Sequence, residues 1–124
     1  MDNGGSIVNI GSTVGLGGTA GMPAYCASKG AVLQLTRAMA LDHAAAGVRV
    51  NAVCPGAVDT PMLVSGHADG VTAASVFKNN IDSIPQGRIP EASEVAELVA
   101  FLLSDASRHI TGATIPIDGG YTAQ

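Results

Sequence analysis

Positive charge is scarce in this chain. Only six of its 124 residues are Lys or Arg, against ten Asp or Glu, and the net charge is −4. That balance gives no electrostatic footprint for nucleic acid or for an anionic membrane surface. Cysteine is equally sparse. Cys26 and Cys54 have neither metal-binding nor redox spacing, which predicts free thiols and a cytoplasmic protein. His43, His67 and His109 lie far apart, form no ligand pattern and read as surface or capping residues. No apolar run is long enough to span a bilayer, and the first residues do not resemble a signal peptide. There is no internal repeat and no low-complexity tract. Charged residues of all kinds reach only 13 %, whereas hydrophobic residues reach 47 %. This is lean on surface and rich in core, as in a piece meant to be covered by more protein, although the length suits one domain.

What is present is an alternation of short apolar strands and helices. Ser6-Ile7-Val8-Asn9-Ile10 is bounded by glycines and reads as a buried strand of a parallel sheet. A loop over 11–22 leads to a helix expected from Ala24 to Ala46, with Gly47 as its stop. That helix is crowded with Ala24, Ala27, Gly30, Ala31, Ala38, Ala40, Ala44 and Ala45, which permit close approach of another element. A β-branched strand follows at 48–54 and is broken by Pro55-Gly56. Residues 61–90 lack a clear period, and a short helix or two is expected there. A second helix runs from Glu91 to Ser104, with Val95, Leu98, Val99 and Leu102 on one face as a core stripe. Thr114 to Asp118 is the last strand.

The chemistry concentrates at Tyr25-Cys26-Ala27-Ser28-Lys29. Residues i and i+4 share one helix face, so a phenol and an ammonium can act on the same object. A phenol is a poor base at neutral pH, its ordinary pKa being about 10. A cation held nearby favours the phenolate and brings it into the range of proton transfer. Ser12 follows the first strand at its carboxyl end, where open α/β sheets gather their chemistry, and its hydroxyl can donate to a carbonyl oxygen. Pro55-Gly56 lets the backbone turn sharply and approach a ligand, with Val58 and Thr60 offering polar groups to an amide-bearing ring.

Taken in order, Gly5-Ser6-Ile7-Val8-Asn9-Ile10-Gly11-Ser12, Tyr25-Cys26-Ala27-Ser28-Lys29, Asn51 to Thr60, Ile110-Thr111-Gly112 and Ile117-Asp118-Gly119-Gly120 resemble the short-chain dehydrogenase/reductase family in its classical branch. The likeness runs through nearly the whole chain. It implies an α/β fold, the C-terminal half of a Rossmann-like doubly wound parallel sheet of three strands with flanking helices. The family's glycine-rich pyrophosphate turn, its ribose-reading residue, its Asn-Ala-Gly segment and its catalytic asparagine find no counterpart here. Gly15-Leu16-Gly17-Gly18 is no substitute, because it does not open a helix after a first strand. Residues 1–124 are therefore expected to be the catalytic and substrate half of one domain, with Met1 to Gly5 as the loop leading into its first strand and the dinucleotide-binding half absent.

The resemblance implies an oxidoreductase that interconverts an alcohol and a carbonyl with NAD or NADP, the preference not being readable. Tyr25 is expected as acid/base, Lys29 as its activator and ribose anchor, and Ser12 as the carbonyl-polarising donor. Tyr25, Lys29, Pro55, Gly56, Val58 and Thr60 are expected to hold the cofactor. Met62, Leu63, Val64, Val76 and Phe77 fall where the family places its substrate lid. The partner expected is a small-molecule alcohol or carbonyl, with no nucleic acid, no membrane and no metal. The small-residue helix suggests a homo-oligomer by the same likeness, although close packing on the chain's own sheet explains it equally well. Two other readings compete. One is an inactive remnant that pairs with a full-length relative. The other is a serine hydrolase using Ser12, which lacks the Gly-x-Ser-x-Gly turn and leaves Tyr25 without a role.

Overall fold

The computed structural model of the chain describes residues 4–124, so the first three residues of the expected leading loop lie outside the described part. Strands β1 (Gly5–Ile10), β2 (Val48–Pro55) and β3 (Thr114–Ile117) form one sheet in that order. Both pairings are parallel, with Ile7 opposite Val50 and Cys54 opposite Pro116. Parallel neighbours need crossovers. Helix α1 (Pro23–His43) joins β1 to β2, and helices α2 (Pro61–Val64), α3 (Ala73–Ser83) and α4 (Ala92–Leu103) lie between β2 and β3.

The two long helices take opposite faces. Side chains alternate along a strand, and the even-numbered residues of β2 meet α1: Val48 and Val50 cluster with Ala40, Met39 and Ile7, and Ala52 and Cys54 with Leu33. On the same face Asn9 Nδ2 donates to Thr36 Oγ1 at 2.9 Å. The odd-numbered side serves α4 and its exit, where the Arg49 guanidinium donates to Ser107 Oγ at 2.9 Å and Ser104 O at 3.0 Å. Ser6 Oγ of β1 donates to Leu102 O at 2.8 Å. This is the doubly wound arrangement expected from the sequence.

Local chemistry sets the boundaries. Pro23 stands in the first turn of α1, where its missing N–H costs nothing. The helix ends at His43, and Ala44–Ala46 tighten into a 3₁₀ turn before Gly47 adopts φ 73°. The expected helix thus begins one residue early and does not stay α-helical to Ala46. Helix α4 opens with a capping box in which the Glu91 and Glu94 side chains satisfy each other's backbone N–H groups. The Arg88 guanidinium grips Glu94 at 2.9 and 2.6 Å, and this pairing holds the Glu94 carboxyl down at about 2.

The stripe on α4 is less buried than the sequence suggests. Leu102 is fully buried, whereas Val95, Leu98 and Val99 are only half-buried. Helix α4 lies over β1 and β2, and among the described residues β1 has a strand on one side only, so less protein closes over that end of the layer. Loop 61–90 resolves into α2 and α3, within the helical content expected.

Candidate active site

The carboxyl ends of the three strands converge on one place. Beyond β1 the chain forms a tight turn over Thr13–Gly15 with Ser12 as its cap. Ser12 is buried, and its Oγ accepts from the Val14 N–H at 3.3 Å. The lone pair used in that contact leaves the hydroxyl hydrogen free to be donated elsewhere. Gly11 anchors the turn from below, its N–H donating to Val53 O at 2.8 Å. A Cβ on Gly11 would stand 2.8 Å from Leu33 Cδ2 and 3.0 Å from Cys54 Sγ, so the strand exit is close-packed beneath Ser12.

Tyr25 and Lys29 lie one turn apart near the start of α1, both half-buried. The Lys29 ammonium sits 5.8 Å from the centroid of the Tyr25 ring, within cation–π range. It also donates to Ile10 O at 3.0 Å. The helix pair is thereby tied to the end of the strand that carries Ser12. An ammonium has three donors, so two remain for a ligand's hydroxyls.

Pro55 ends β2, and Gly56 fits closely against β3. Its N–H donates to Ile117 O at 3.2 Å, and a Cβ there would stand 3.1 Å from Asp118 Cβ and 3.9 Å from the Thr13 methyl. Val58 and Thr60 follow in the loop, where Thr60 Oγ1 donates to Val58 O at 3.4 Å. The loop is pinned by Asp59, whose N–H donates to Pro90 O at 2.9 Å. This cradle of small residues and backbone suits a flat amide-bearing ring. With the free donors of Lys29, the residues present fit the nicotinamide end of a dinucleotide.

Of the expected lid, Met62, Leu63 and Val64 form α2, with Met62 largely exposed and Leu63 half-buried. Val76 is buried and Phe77 half-buried in α3. Cys54, fully buried beneath the Ser12 turn, is a free thiol pushed up by burial, which the Ser12 backbone hydrogen bond and the Lys29 and Arg37 charges oppose. Among the described residues no His, Cys, Asp and Glu cluster could hold a metal ion, and no helix is long and apolar enough to cross a membrane.

The motif segments hold two residues to which the sequence reading assigned no role. Asp118 follows β3, and its carboxylate accepts from Gly120 N, Thr122 N and Thr122 Oγ1 at 3.0, 2.9 and 2.6 Å. Burial pushes this carboxyl up, but the Thr122 and Gly120 hydrogen bonds outweigh it and hold the group below its ordinary value. Fully buried Asn51 donates to Ile110 O at 2.8 Å and accepts from Ala113 N at 3.0 Å, fastening the approach to β3. The Asp-Gly-Gly turn signal pointed to the first. Nothing in the local sequence announced the second, whose partners lie some sixty residues away.

Comparison with known proteins agrees with this architecture. The profile described as Enoyl-(Acyl carrier protein) reductase matches residues 1–122. Meso-2,3-butanediol dehydrogenase of Serratia marcescens is 51 % identical over 119 residues, covering 96 % of this chain and 45 % of that protein. 2-(S)-hydroxypropyl-CoM dehydrogenase 3 of Xanthobacter autotrophicus is 46 % identical over 119 residues, covering 96 % and 47 %. A short chain dehydrogenase family protein of Francisella tularensis superposes with a TM-score of 0.90 at 46 % identity, covering 96 % of this chain and 51 % of its own. A variant actinorhodin polyketide ketoreductase solved with NADPH superposes with a TM-score of 0.89 at 37 % identity, covering 98 % and 49 %. The chain belongs to the short-chain dehydrogenase/reductase family. It spans about half the length of the curated relatives it matches.

Proposed function

We propose that residues 1–124 are the catalytic and substrate half of a nicotinamide-dependent oxidoreductase that interconverts an alcohol and a carbonyl compound. One observation carries the reading: a single ammonium, that of Lys29, faces the Tyr25 ring and binds the end of the strand leading to Ser12. Proton donor, cation and hydroxyl are thus parts of one assembly. The names of relatives support the reaction class, and solved neighbours with NADPH or bound NAD+ support the cofactor class without deciding between the two.

A bound nicotinamide supplies or accepts the hydride. Lys29, Pro55, Gly56, Val58 and Thr60 would hold its ribose and amide end. Ser12 donates its free hydroxyl hydrogen to the substrate carbonyl oxygen, fixing its orientation and stabilising charge as it develops there. Tyr25 gives its phenolic proton to that oxygen during reduction and, as phenolate, takes it back during oxidation. Lys29 sets its positive charge beside the Tyr25 ring and keeps the helix in register with the Ser12 turn. Met62, Leu63 and Val64 would close over an apolar part of the substrate.

The test joins this chain to the N-terminal half of the Serratia relative and follows nicotinamide absorbance with a panel of alcohols and ketones. Turnover is expected, and Tyr25→Phe should lower kcat at the upper end of the roughly 10²–10⁴-fold range of acid–base catalysis or beyond, with the circular dichroism unchanged. Retention of more than about a tenth of the parent rate would remove Tyr25 from the mechanism.

A further inference from the structure

We propose that Gly15 is a positioning residue for the reaction described above: its missing side chain lets the Ser12 turn seat on the backbone of α1, and that seat sets Ser12 against Tyr25 and Lys29. The inference rests on the proposed function, but its geometry stands apart from it. A Cβ on Gly15 would lie 2.8 Å from both the carbonyl carbon and oxygen of Lys29 and 3.1 Å from Gly30 N. These are main-chain atoms of a regular helix, not the far end of a side chain that can swing away. A helix held by its own backbone hydrogen bonds does not swing aside as a side chain does, so the half-buried turn would have to move.

Backbone conformation does not explain the glycine. Gly15 is absent from the residues with positive φ, and its place in the turn suits any residue. The next glycines behave differently: Gly17 and Gly18 have no atom within 4 Å of a Cβ placed on them. The helix side of the seam is also a glycine, since a Cβ on Gly30 would stand 3.9 Å from Gly15 O.

The displacement would act directly on Ser12. Gly15 N donates to Ser12 O at 3.0 Å and Val14 N to Ser12 Oγ at 3.3 Å. The other side of the turn cannot follow, because Gly11 N is fixed to Val53 O and Ile10 O to the Lys29 ammonium. Ser12 is therefore held between an anchored strand end and a seat against the helix one turn beyond Tyr25. Misplacement of a reacting geometry by about 1 Å can cost on the order of 10²-fold in rate.

The experiment uses the joined enzyme with Gly15→Ala, Gly17→Ala, Ser12→Ala and the Ser12→Ala/Gly15→Ala double variant. Gly15→Ala is expected to lower kcat about 10- to 100-fold with the cofactor KM nearly unchanged, while Gly17→Ala stays at the parent rate. In the Ser12→Ala background Gly15→Ala should cost nothing further, the non-additivity of groups that act as a unit. Equal rates for the two glycine variants, or a Gly15 loss that adds fully to that of Ser12→Ala, would overturn the proposal. Gly30→Ala places only an ordinary 3.9 Å contact on Gly15 O and gains helix propensity, so it should keep the parent rate. A loss of about tenfold or more in Gly30→Ala would count against the seat, even where Gly15→Ala unfolds. Absence of turnover in the parent would instead refute the proposed function. Amide hydrogen exchange over residues 11–17 then still decides the seat: Gly15→Ala should accelerate it and Gly17→Ala should not, and equal exchange in the two would end the argument.

Discussion

The Lys29 ammonium is bonded to the Ile10 carbonyl at 3.0 Å, joining helix α1 to the last residue of β1. A lysine expected only to serve a tyrosine and a ribose thus also closes the strand end that presents Ser12. Tyr25 and the strand end that leads to Ser12 meet at one cation, so loss of that cation should be felt at more than one step.

In the joined enzyme, Lys29→Met should raise the cofactor KM and lower kcat together, because the variant loses the donors left for a ligand's hydroxyls as well as the bond to Ile10 O. Steady-state kinetics with cofactor and substrate varied in turn checks this. A parent-like cofactor KM would leave Lys29 with its structural bond alone.

The 124-residue chain by itself should bind NAD or NADP weakly or not at all. Its described residues fit the nicotinamide end, but Gly15–Gly18 does not open a helix, since α1 begins only at Pro23 after Met22. A dinucleotide gains much of its hold where pyrophosphate meets a helix N-terminus. Tight, stoichiometric binding in a calorimetric titration would contradict the division of labour proposed for this half.

Strand β1 should make the isolated chain associate. Among the described residues it pairs with β2 on one side only, it carries no internal proline or lysine, and Ile10 is 48 % exposed at its end. Unpaired apolar edges recruit other strands. Size-exclusion chromatography should show oligomers or aggregates, with broad thermal unfolding. A monomer with one sharp transition would show that the edge is tolerated.

Acid should loosen the start of α4. The folded Glu94 carboxyl is held at about 2, against 4.5 ordinarily, first by the Arg88 hydrogen bond and then by the Glu91 N–H. A depressed carboxyl contributes stability that is fully present above its unfolded value and lost as pH falls through the folded one. The loss therefore falls between about 4.5 and about 2. Arg88 is exposed and Glu94 only half-buried, so the effect is small. Melting temperatures across this range should drop less in Glu94→Gln than in the parent, and parallel curves would assign the pair no role.

Much of this was legible in the residues themselves. Strands at 6–10 and 48–54 are marked by apolar and β-branched runs between breakers, and the starts of the two long helices, expected at Ala24 and Glu91, fall within one residue of those observed, because these signals act over a few neighbouring residues. The Tyr25–Lys29 pairing follows from helix geometry alone. Tertiary structure decided what depends on elements brought from afar. Lys29 meets the carbonyl of Ile10, Asn51 holds the segment from Ile110 to Ala113, and Gly15 rests on the backbone of Lys29. It also left Val95, Leu98 and Val99 half-covered, although their spacing reads as core. Periodicity tells which side chains share a face, but only the packed neighbours determine how much of that face is closed and how near two backbones can come.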